Sequence, residues 1–280
     1  MKVGYLGPEG SFSYGVAAAN FRQKDLQAFH TIFDCLEAVE SGQLTKAVVP
    51  IENSYEGTVH DTLDFLYHQG SLYVEKEMVM PIHHCLAVHP EMAAQSTHLT
   101  GIYSHPQALS QTKRYLHEHH KKIPQTVVES TAKSAQYVAL HGQKEAVAAI
   151  CSEQAAELFG LSIIAREIED SPDNQTRFWV VSKKKNLTSQ KDLKKMSVCL
   201  TLTSDHPGTL HQSLAAFSWR NINLSKIESR PLKTQLGFYF FLLDIVIDCP
   251  ISLIELAFEE IHLLNGRIKE LGAYPIKIIK

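Results

Sequence analysis

The first two thirds of the chain alternate between short apolar runs and amphipathic stretches. Each apolar run leads to a small polar residue, and residues with the apolar spacing of a helix follow. The apolar runs occupy residues 2–6, 47–51, 101–103, 127–128 and 146–150. Strands that alternate with helices in this way predict an α/β fold built on a mainly parallel sheet.

The small polar residues after these runs have two interpretations. In a parallel sheet the strand-to-helix turns share one edge, where ligands bind, and free N–H groups at helix N-termini can hold an anion. Alternatively, Ser11, Thr58, Ser104, Ser130 and Ser152 are ordinary N-caps, each stabilising its helix by about 1 kcal/mol. For any one of them taken alone, the N-cap interpretation is the simpler one.

The last third of the chain has a different pattern, which begins after a polar, lysine-rich segment at residues 183–195 that we interpret as a linker. Beyond it, strand-like alternation and helical spacing follow one another in the order β-α-β-β-α-β, which predicts a ferredoxin-like domain. Its exposed strand edges favour pairing with another copy of the chain. The predicted elements lie at residues 197–203, 207–217, 224–230, 238–247, 253–264 and 268–274.

Length and composition narrow the class of protein. The chain has 280 residues, of which 44% are apolar and 20% charged, which is enough to build more than one buried core. The net charge of −3 and the scattered lysines and arginines argue against a broad nucleic-acid surface. The sequence shows neither a signal peptide nor an apolar stretch that would span a membrane, so we expect a cytoplasmic protein.

Cysteine and histidine spacing argues against a metal site. The five cysteines lack the C-x-x-C spacing of zinc sites, and their odd number does not suggest a disulfide framework. The adjacent pairs His83–His84 and His119–His120 look suggestive at first. However, neighbouring residues on a strand or helix point in different directions, so these pairs do not form a set of ligands. We therefore expect no metal.

A candidate for the chemistry stands at residues 174–181, N-Q-T-R-F-W-V-V, where three functional side chains precede an apolar run. That run predicts a buried strand. At its start Thr176 can donate a hydrogen bond, Arg177 can clamp an anion, and Phe178 can form an apolar wall, which suits an acid-assisted elimination from a small carboxylate. Structural roles are the alternative, because Arg177 could equally pair with a protein carboxylate such as Glu52, and Phe178 could fill the core.

Several segments together resemble prephenate dehydratases that carry a C-terminal ACT regulatory domain, and the resemblance covers essentially the whole chain. Each segment alone is weak evidence, but seven of them in the family order are very specific. The segments are G-P-E-G-S-F-S (7–13), P-I-E-N-S-Y-E-G-T-V (50–59), S-H-P-Q-A-L (104–109), S-T-A-K-S-A (130–135), N-Q-T-R-F (174–178), D-H-P-G-T-L (205–210) and N-L-S-K-I-E-S-R-P (223–231).

The resemblance implies a domain organisation that the repeats alone do not define. It implies a two-lobed catalytic domain at residues 1–182, similar to a periplasmic binding protein, with the active site in the cleft between the lobes. Residues 1–77 with 166–182 would form one lobe and residues 78–165 the other. The linker at 183–195 would then lead to the ACT domain at 196–280.

The resemblance also implies a reaction, in which prephenate loses CO2 and water and becomes phenylpyruvate during L-phenylalanine biosynthesis. Because the new aromatic ring supplies much of the driving force, this lyase reaction needs no cofactor. Thr176 would donate its hydroxyl to the departing oxygen. An Asx turn would equally explain Asn53, and helix capping would equally explain Ser104 and Thr131. The residues implied to bind substrate are Asn53, Ser54, Ser104, Gln107, Thr131, Arg177 and Phe178.

For the second domain the resemblance implies an allosteric site for L-phenylalanine and assembly into a homodimer or homotetramer. At the first effector motif the residues Thr209, Leu210 and His211 depart from the usual family pattern, which puts the strength and preference of the response in doubt. The second motif is intact. The implied effector residues are Pro207, Gly208, Thr209, Leu210, Asn223, Glu228, Ser229, Arg230 and Pro231.

Two other functions remain open on the sequence. An arogenate dehydratase would act on a substrate whose keto group is replaced by an amine. A non-catalytic amino acid sensor would use the same two-lobed fold and ACT domain only to recognise a ligand, although the intact N-Q-T-R-F segment argues against it.

Overall fold

The computed structural model of the protein describes residues 1–185, 189–202, 206–233 and 237–279. Parts of three predicted features lie outside these residues. They are positions 186–188 of the predicted linker, Thr203 at the end of a predicted strand, and Asp205 at the start of the first predicted effector segment.

The strands occur where the sequence carries β-branched and apolar runs. In chain order they are β1 (Val3–Leu6), β2 (Leu26–Phe29), β3 (Lys46–Asn53), β4 (Gly57–Thr58), β5 (Tyr73–Pro81), β6 (Cys85–Val88), β7 (Gly101–Ser104), β8 (Gln125–Val127), β9 (Val147–Cys151), β10 (Ser162–Ala165), β11 (Gln175–Ser182), β12 (Lys195–Leu202), β13 (Leu224–Pro231), β14 (Tyr239–Val246), β15 (Gly266–Tyr274) and β16 (Ile276–Ile278).

The helices begin at several of the predicted polar residues. Ser11, Ser130 and Ser152 are N-caps, whose side-chain oxygens accept hydrogen bonds from backbone N–H groups, so the capping interpretation is confirmed for these three. Short 3₁₀ helices lie at Gln23–Asp25, Pro90–His98 and Gln190–Asp192. The α-helices are α1 (Phe12–Ala18), α2 (Ile32–Glu40), α3 (His60–His68), α4 (Pro106–Gln111), α5 (Lys113–His119), α6 (Thr131–Glu145), α7 (Glu153–Leu158), α8 (Thr209–Ser218) and α9 (Ile251–Leu263).

The structure is a mixed α/β fold, in which two sheets form two lobes. The sheet of the first lobe has the order β16-β5-β11-β3-β1-β2, with β4 paired to β3, and that of the second lobe has the order β10-β6-β9-β7-β8. Each sheet mixes parallel and antiparallel pairs, so the prediction of a mainly parallel sheet was wrong. In the first sheet, β11 returns from the second lobe and inserts antiparallel between β3 and β5, and in the second sheet β6 pairs antiparallel with β9 and β10.

The chain crosses from the first lobe to the second slightly later than expected. Residues 78–81 still pair with β11 in the first sheet, so the crossing occurs between Pro81 and Cys85. The return connection follows Ala165 and ends at Gln175. The two connections lie side by side and are joined by a hydrogen bond, in which the backbone N–H of Ile168 donates to the carbonyl oxygen of His84 at 3.0 Å.

The C-terminal part contains the predicted order β-α-β-β-α-β, and its sheet has the order β13-β14-β12-β15. Helices α8 and α9 cover one face, where Phe217, Ile254 and Ile261 pack against inward residues of the strands. The opposite face lies on the first lobe, so that Phe240 and Tyr274 share one core cluster with residues of the first sheet, such as Trp179. Apolar packing therefore holds the C-terminal domain against the lobe.

Strand β16 was not foreseen by the sequence pattern. After β15 closes the ferredoxin-like sheet, residues Ile276–Ile278 pair in parallel with β5 at the edge of the first sheet. The last described strand of the chain therefore belongs to the first lobe and not to the C-terminal domain.

None of the helices in the described part of the chain combines the length and apolarity needed to cross a membrane.

Candidate active site

The strand β11 presents different side chains to its two sides. Because side chains alternate along a strand, Thr176 and Phe178 face one side of the sheet while Arg177 and Trp179 face the other. Thr176 and Phe178 line a cavity between the two lobes, and Trp179 is packed in the core shared with the C-terminal domain. The three adjacent candidates therefore do not converge on one cleft.

The cavity has a volume of about 460 Å³ and receives residues from both lobes. Asn53, Thr176 and Phe178 line it from the first sheet, and Gln107 and Thr131 line it from the second lobe. The N-terminal ends of α1 and α6 also reach the wall, through Ser11 and Ser130. The structure therefore places four of the predicted substrate-binding residues and the predicted catalytic residue around one space.

Thr176 is held in a defined orientation by Asn53. The Thr176 side chain is buried, with 8% of the residue exposed, and its Oγ1 accepts a hydrogen bond from Asn53 Nδ2 at 2.8 Å. Since this contact occupies a lone pair of the oxygen, the hydroxyl hydrogen of Thr176 remains available for donation. Thr176 can thus act as a directed hydrogen-bond donor to a ligand.

Asn53 itself is fixed by the local turn. Its Oδ1 accepts from the backbone N–H groups of Tyr55 at 3.0 Å and of Glu56 at 3.3 Å, which is the Asx-type turn considered from the sequence. Its Nδ2 donates to Asn174 Oδ1 at 3.0 Å as well as to Thr176. The turn and the candidate site role are therefore compatible, because the turn uses the oxygen and the site uses the amide nitrogen.

A chain of amide contacts continues from Asn174 into the second lobe. Asn174 is almost fully buried, and its Nδ2 donates to Gln111 Oε1 at 3.2 Å. The same oxygen lies 3.1 Å from Nε2 of His84, a buried residue of the crossing segment. Gln111 and His84 also line the cavity, although neither is among the predicted site residues and His84 entered only as half of a rejected metal-ligand pair. For Gln111 the sequence signal is its position two residues after the S-H-P-Q-A-L segment.

Besides Arg177, two predicted substrate-binding residues, Ser54 and Ser104, do not line the cavity. Ser104 is fully buried at the end of β7, and its hydroxyl donates to the carbonyl oxygen of Ile150 at 2.7 Å, so it supports the wall from behind. It is not an N-cap either, because His105 caps α4. Ser54 is exposed and binds Asn174 Oδ1 at 3.2 Å, so it braces the amide chain.

Arg177 lies in an ion-pair cluster on the opposite side of β11, which corrects the prediction that it clamps a substrate carboxylate. Its guanidinium contacts Glu52, and it contacts Glu77 and Asp244 at 2.6 Å each. Burial opposes its charge, but Asp244 and Glu77 outweigh burial and raise the pKa of the guanidinium. The alternative considered from the sequence, a pair with Glu52, is what the structure shows.

The cluster extends to two lysines. Lys195 contacts Glu77 at 2.8 Å, and Lys226 on β13 contacts Glu52. Burial alone would raise the pKa of the Glu77 carboxyl, but Arg177 and Lys195 outweigh it and lower that pKa. Because Asp244 and Lys226 belong to the ferredoxin-like domain, this charged cluster joins that domain to the two strands that carry Asn53 and Thr176.

The predicted effector residues occupy two places in the C-terminal domain. Gly208, with a φ of 88°, precedes α8 as its N-cap, and Pro207, Thr209 and Leu210 surround that helix start. The second set, Asn223, Glu228, Ser229, Arg230 and Pro231, lies on or beside the edge strand β13.

Besides Lys226, two residues of the second effector segment face the first lobe. Glu228 accepts a hydrogen bond from the Thr58 hydroxyl and lies 3.8 Å from His60, and Arg230 contacts Asp64 at 3.0 Å. The segment therefore touches the start of α3, which follows the turn that holds Asn53.

Among the described residues, no group of three or more His, Cys, Asp or Glu side chains is arranged to hold a metal ion. The five cysteines are free thiols, and Cys85 Sγ lies 3.9 Å from Cys151 Sγ. Besides the carboxylates of Glu56 and Glu129, the polar groups at the cavity are hydroxyl, amide and imidazole side chains together with helix N-termini. Such groups orient and polarise a small anionic ligand by hydrogen bonding.

Comparison with known proteins agrees with these features. The family model described as prephenate dehydratase matches residues 3–186. The prephenate dehydratase of Lactococcus lactis subsp. lactis (strain IL1403) is 40% identical over 278 residues, covering 99% of this chain and 98% of that protein.

Two solved structures are also similar over almost the whole chain. The prephenate dehydratase from Staphylococcus aureus subsp. aureus Mu50 has a TM-score of 0.84 at 32% identity, covering 98% of this chain and 100% of that one. The prephenate dehydratase from Arthrobacter aurescens, solved in complex with L-Phe, has a TM-score of 0.86 at 32% identity, covering 98% and 90%. The chain therefore belongs to the prephenate dehydratase family.

Proposed function

We propose that the protein is a cofactor-free prephenate dehydratase, which converts prephenate into phenylpyruvate, CO2 and water. The observation that carries the proposal is the buried Thr176 hydroxyl, which accepts from Asn53 at 2.8 Å and can donate into the cavity between the lobes. A donor at this place suits a reaction in which a hydroxyl group must leave.

The reaction needs little from the protein beyond hydrogen bonding and orientation. As the C–C bond to the ring carboxylate breaks, its electron pair enters the ring, and the C–O bond of the ring hydroxyl breaks on the opposite carbon. Thr176 stabilises the charge that develops on the departing oxygen, which takes up one proton from solvent water and leaves as water. A threonine hydroxyl is a weak acid, so we assign Thr176 the role of hydrogen-bond donor in the transition state.

The absence of fixed cations from the cavity wall supports this reaction. Among the described residues that line the cavity, none is a lysine or an arginine. A guanidinium on the ring carboxylate would stabilise the ground state and oppose the loss of CO2. The N–H groups at the start of the 15-residue helix α6, beside Ser130 and Thr131, offer a milder site for the pyruvyl carboxylate.

A steady-state assay tests the proposal directly. Purified protein is given prephenate and, separately, arogenate, and the formation of phenylpyruvate or phenylalanine is followed. We expect turnover of prephenate with the higher kcat/KM. No product from either substrate would contradict the enzymatic proposal and favour a ligand sensor, and a preference for arogenate would identify the alternative dehydratase.

We also propose that residues 1–182 are the two-lobed catalytic domain, similar to a periplasmic binding protein, that 183–195 are the linker, and that 196–280 are an ACT domain that binds L-phenylalanine. Support comes from the L-Phe complex of the relative from Arthrobacter aurescens and from the contacts of Glu228 and Arg230 with the first lobe. We expect inhibition of a cytoplasmic enzyme of phenylalanine biosynthesis.

The effector proposal is tested with the double variant Glu228→Ala, Arg230→Ala. Allosteric coupling is typically worth about 1–3 kcal/mol, so we expect at least about fivefold weaker inhibition by L-phenylalanine. Isothermal calorimetry of L-phenylalanine shows whether binding or coupling is lost. Unchanged inhibition would contradict the placement of the effector site.

We propose a homodimer or homotetramer in which the ferredoxin-like domains take part. The edge strand β13 supports this assembly, because its Ile227 is 50% exposed. Tyr239, on the neighbouring strand β14, is also 45% exposed. Light scattering coupled to size-exclusion chromatography measures the mass in solution. A monomer at micromolar concentration would contradict the proposal.

A further inference from the structure

His84 occupies an unusual place at the crossing between the lobes. It lies in the segment after β5, only 3% of it is exposed, and it lines the same cavity as Thr176. Its backbone N–H donates to Glu169 Oε2 at 2.9 Å, and the ring of Phe12 meets the imidazole edge-on with 5.8 Å between centroids. The backbone of His84 is thus held by the return connection, and its imidazole packs against Phe12 of α1.

The contacts of Gln111 define the tautomer of His84. Gln111 Oε1 accepts from Asn174 Nδ2 and lies 3.1 Å from His84 Nε2. An amide oxygen only accepts, so Nε2 must carry the hydrogen and Nδ1 must carry the lone pair of the neutral ring. Burial lowers the pKa of His84, which keeps the ring in this neutral form near pH 7.

The Nδ1 atom has no protein partner. Among the described residues, two buried side-chain polar atoms lack a hydrogen-bond partner, His84 Nδ1 and Arg230 Nε. Of the two, His84 belongs to the wall of the cavity. A buried acceptor without a partner costs about 1–3 kcal/mol, which a ligand that supplies a donor can recover.

Prephenate offers a single kind of donor. Its two carboxylates are ionised at neutral pH and its keto group only accepts, so the ring hydroxyl is its one O–H group. We propose that His84 is a further ligand-binding residue, whose Nδ1 accepts a hydrogen bond from the ring hydroxyl of the substrate. This inference rests on the proposed dehydratase function. It adds a second contact to the hydroxyl to which Thr176 donates.

The two contacts have different effects on the leaving group. Thr176 donates a hydrogen bond to the oxygen and favours its departure. His84 accepts a hydrogen bond from the same hydroxyl and so fixes the rotation about the C–O bond. The amide chain Gln111–Asn174–Asn53 connects the two residues, so both are held in one rigid set of hydrogen bonds. His84 is therefore a positioning contact, and no proton transfer to it is required.

Two substitutions of His84 separate ligand binding from structural support. In His84→Asn the side-chain oxygen can occupy the place of Nδ1, while the contact with Gln111 is lost. In His84→Gln the amide nitrogen can replace Nε2 and keep the contact with Gln111, while the acceptor at Nδ1 is lost. We expect His84→Gln to lose about tenfold in kcat/KM for prephenate, the size of one hydrogen bond of about 1.4 kcal/mol, and His84→Asn to retain more activity.

The outcomes are distinguishable from a failure of the proposed function. If the wild type turns over prephenate but His84→Gln equals it, or if His84→Asn is the more damaged variant, the assignment of Nδ1 is overturned. No turnover by the wild type would instead overturn the dehydratase proposal. Urea unfolding of both variants shows whether the fold is intact.

A binding measurement covers the case in which both variants lose activity. The Thr176→Val background is expected to slow turnover by about 10²–10⁴, so calorimetry can compare the binding of prephenate with that of an analogue that lacks the ring hydroxyl. We expect the protein with His84 to favour prephenate about tenfold, and His84→Gln in the same background to bind the two compounds equally. An unchanged preference in His84→Gln would refute the contact.

Discussion

The two faces of strand β11 differ in almost every physical property. On the cavity face, Thr176 is held by a neutral amide, and Phe178 supplies an apolar wall. On the opposite face, Arg177 is surrounded by carboxylates, and Trp179 is sealed beneath the C-terminal domain. Residues that are adjacent in sequence therefore serve chemistry on one side of a sheet and domain attachment on the other.

The comparison shows that the buried ion pairs lie on the face of β11 that points away from the cavity. The cluster contains carboxylates and cations in balance, namely Glu52, Glu77 and Asp244 with Arg177, Lys195 and Lys226. Each buried charge is paired, which reduces the cost of burial. One strand position away, the cavity face retains hydroxyl and amide groups that do not compete with the loss of a carboxylate.

The largest effect should come from the cavity face. Thr176→Val keeps the shape of the side chain but removes the donor, and general-acid or hydrogen-bond assistance of this kind is worth about 10²–10⁴ in rate. We expect kcat for prephenate to fall by that factor while the fold remains. Thr176→Ser, which keeps a hydroxyl, is the matched control. Wild-type kcat in the valine variant would refute the role of Thr176.

On the opposite face, Arg177→Met should act mainly on stability. Removing the cation leaves the buried carboxylates of Glu77 and Asp244 short of a partner, and breaking such a pair typically costs about 3–5 kcal/mol. Urea unfolding measures the loss of free energy. Arg166→Met is a suitable control, because Arg166 is an exposed partner of Glu153. Unchanged stability together with a large rise in KM would indicate that Arg177 binds substrate after all.

Acid should weaken the charged face. Burial opposes the ionisation of Glu52 and Glu77, but their cationic neighbours outweigh burial and lower the pKa values of both carboxyls in the folded protein. Their stabilisation is therefore fully present above the unfolded value of about 4.3, and it is lost as the pH falls through the lower folded values. Urea midpoints measured from pH 7 down to pH 3 should decrease, and Glu77→Gln should flatten the decrease. An equally steep curve in that variant would contradict the assignment.

The smallest effect should come from Trp179→Phe. The change removes the indole N–H that donates to Glu77 Oε2 at 3.2 Å, which is worth about 1.5–3 kcal/mol for a charged acceptor. We expect lower stability but unchanged kcat, because the indole faces away from the cavity. A loss of kcat comparable to that of Thr176→Val would show that the two faces are not independent.

Much of the site is predictable from the sequence, but the prediction for Arg177 neglects the alternation of side chains along β11. Thr176, Phe178 and Asn53 line the cavity as expected. Arg177 was assigned to the same cleft as Thr176, although successive side chains on a strand face opposite sides. The predicted strand itself therefore contained the information that separates Arg177 from the site.

Other features had no local signal. His84 and Gln111 come from segments 27 positions apart, and Gln111 joins His84 to Asn174 only because the chain crosses between the lobes and returns. The mixed sheet has the same cause, since the insertion of β11 depends on a long-range return. By contrast, the ferredoxin-like order was predictable, because each of its elements has its own periodicity.

The position of strand β16 determines which part of this chain can be exchanged with the matching part of a relative. Because Ile276–Ile278 complete the edge of the first sheet after the ferredoxin-like domain has closed, that domain is inserted into the lobe rather than appended to it. A chimaera that exchanges residues 196–274 would leave the closing strand in place. Truncation of the chain at residue 195 would remove β16 and leave unpaired backbone N–H and C=O groups along the edge of β5. We therefore expect the truncated protein to self-associate.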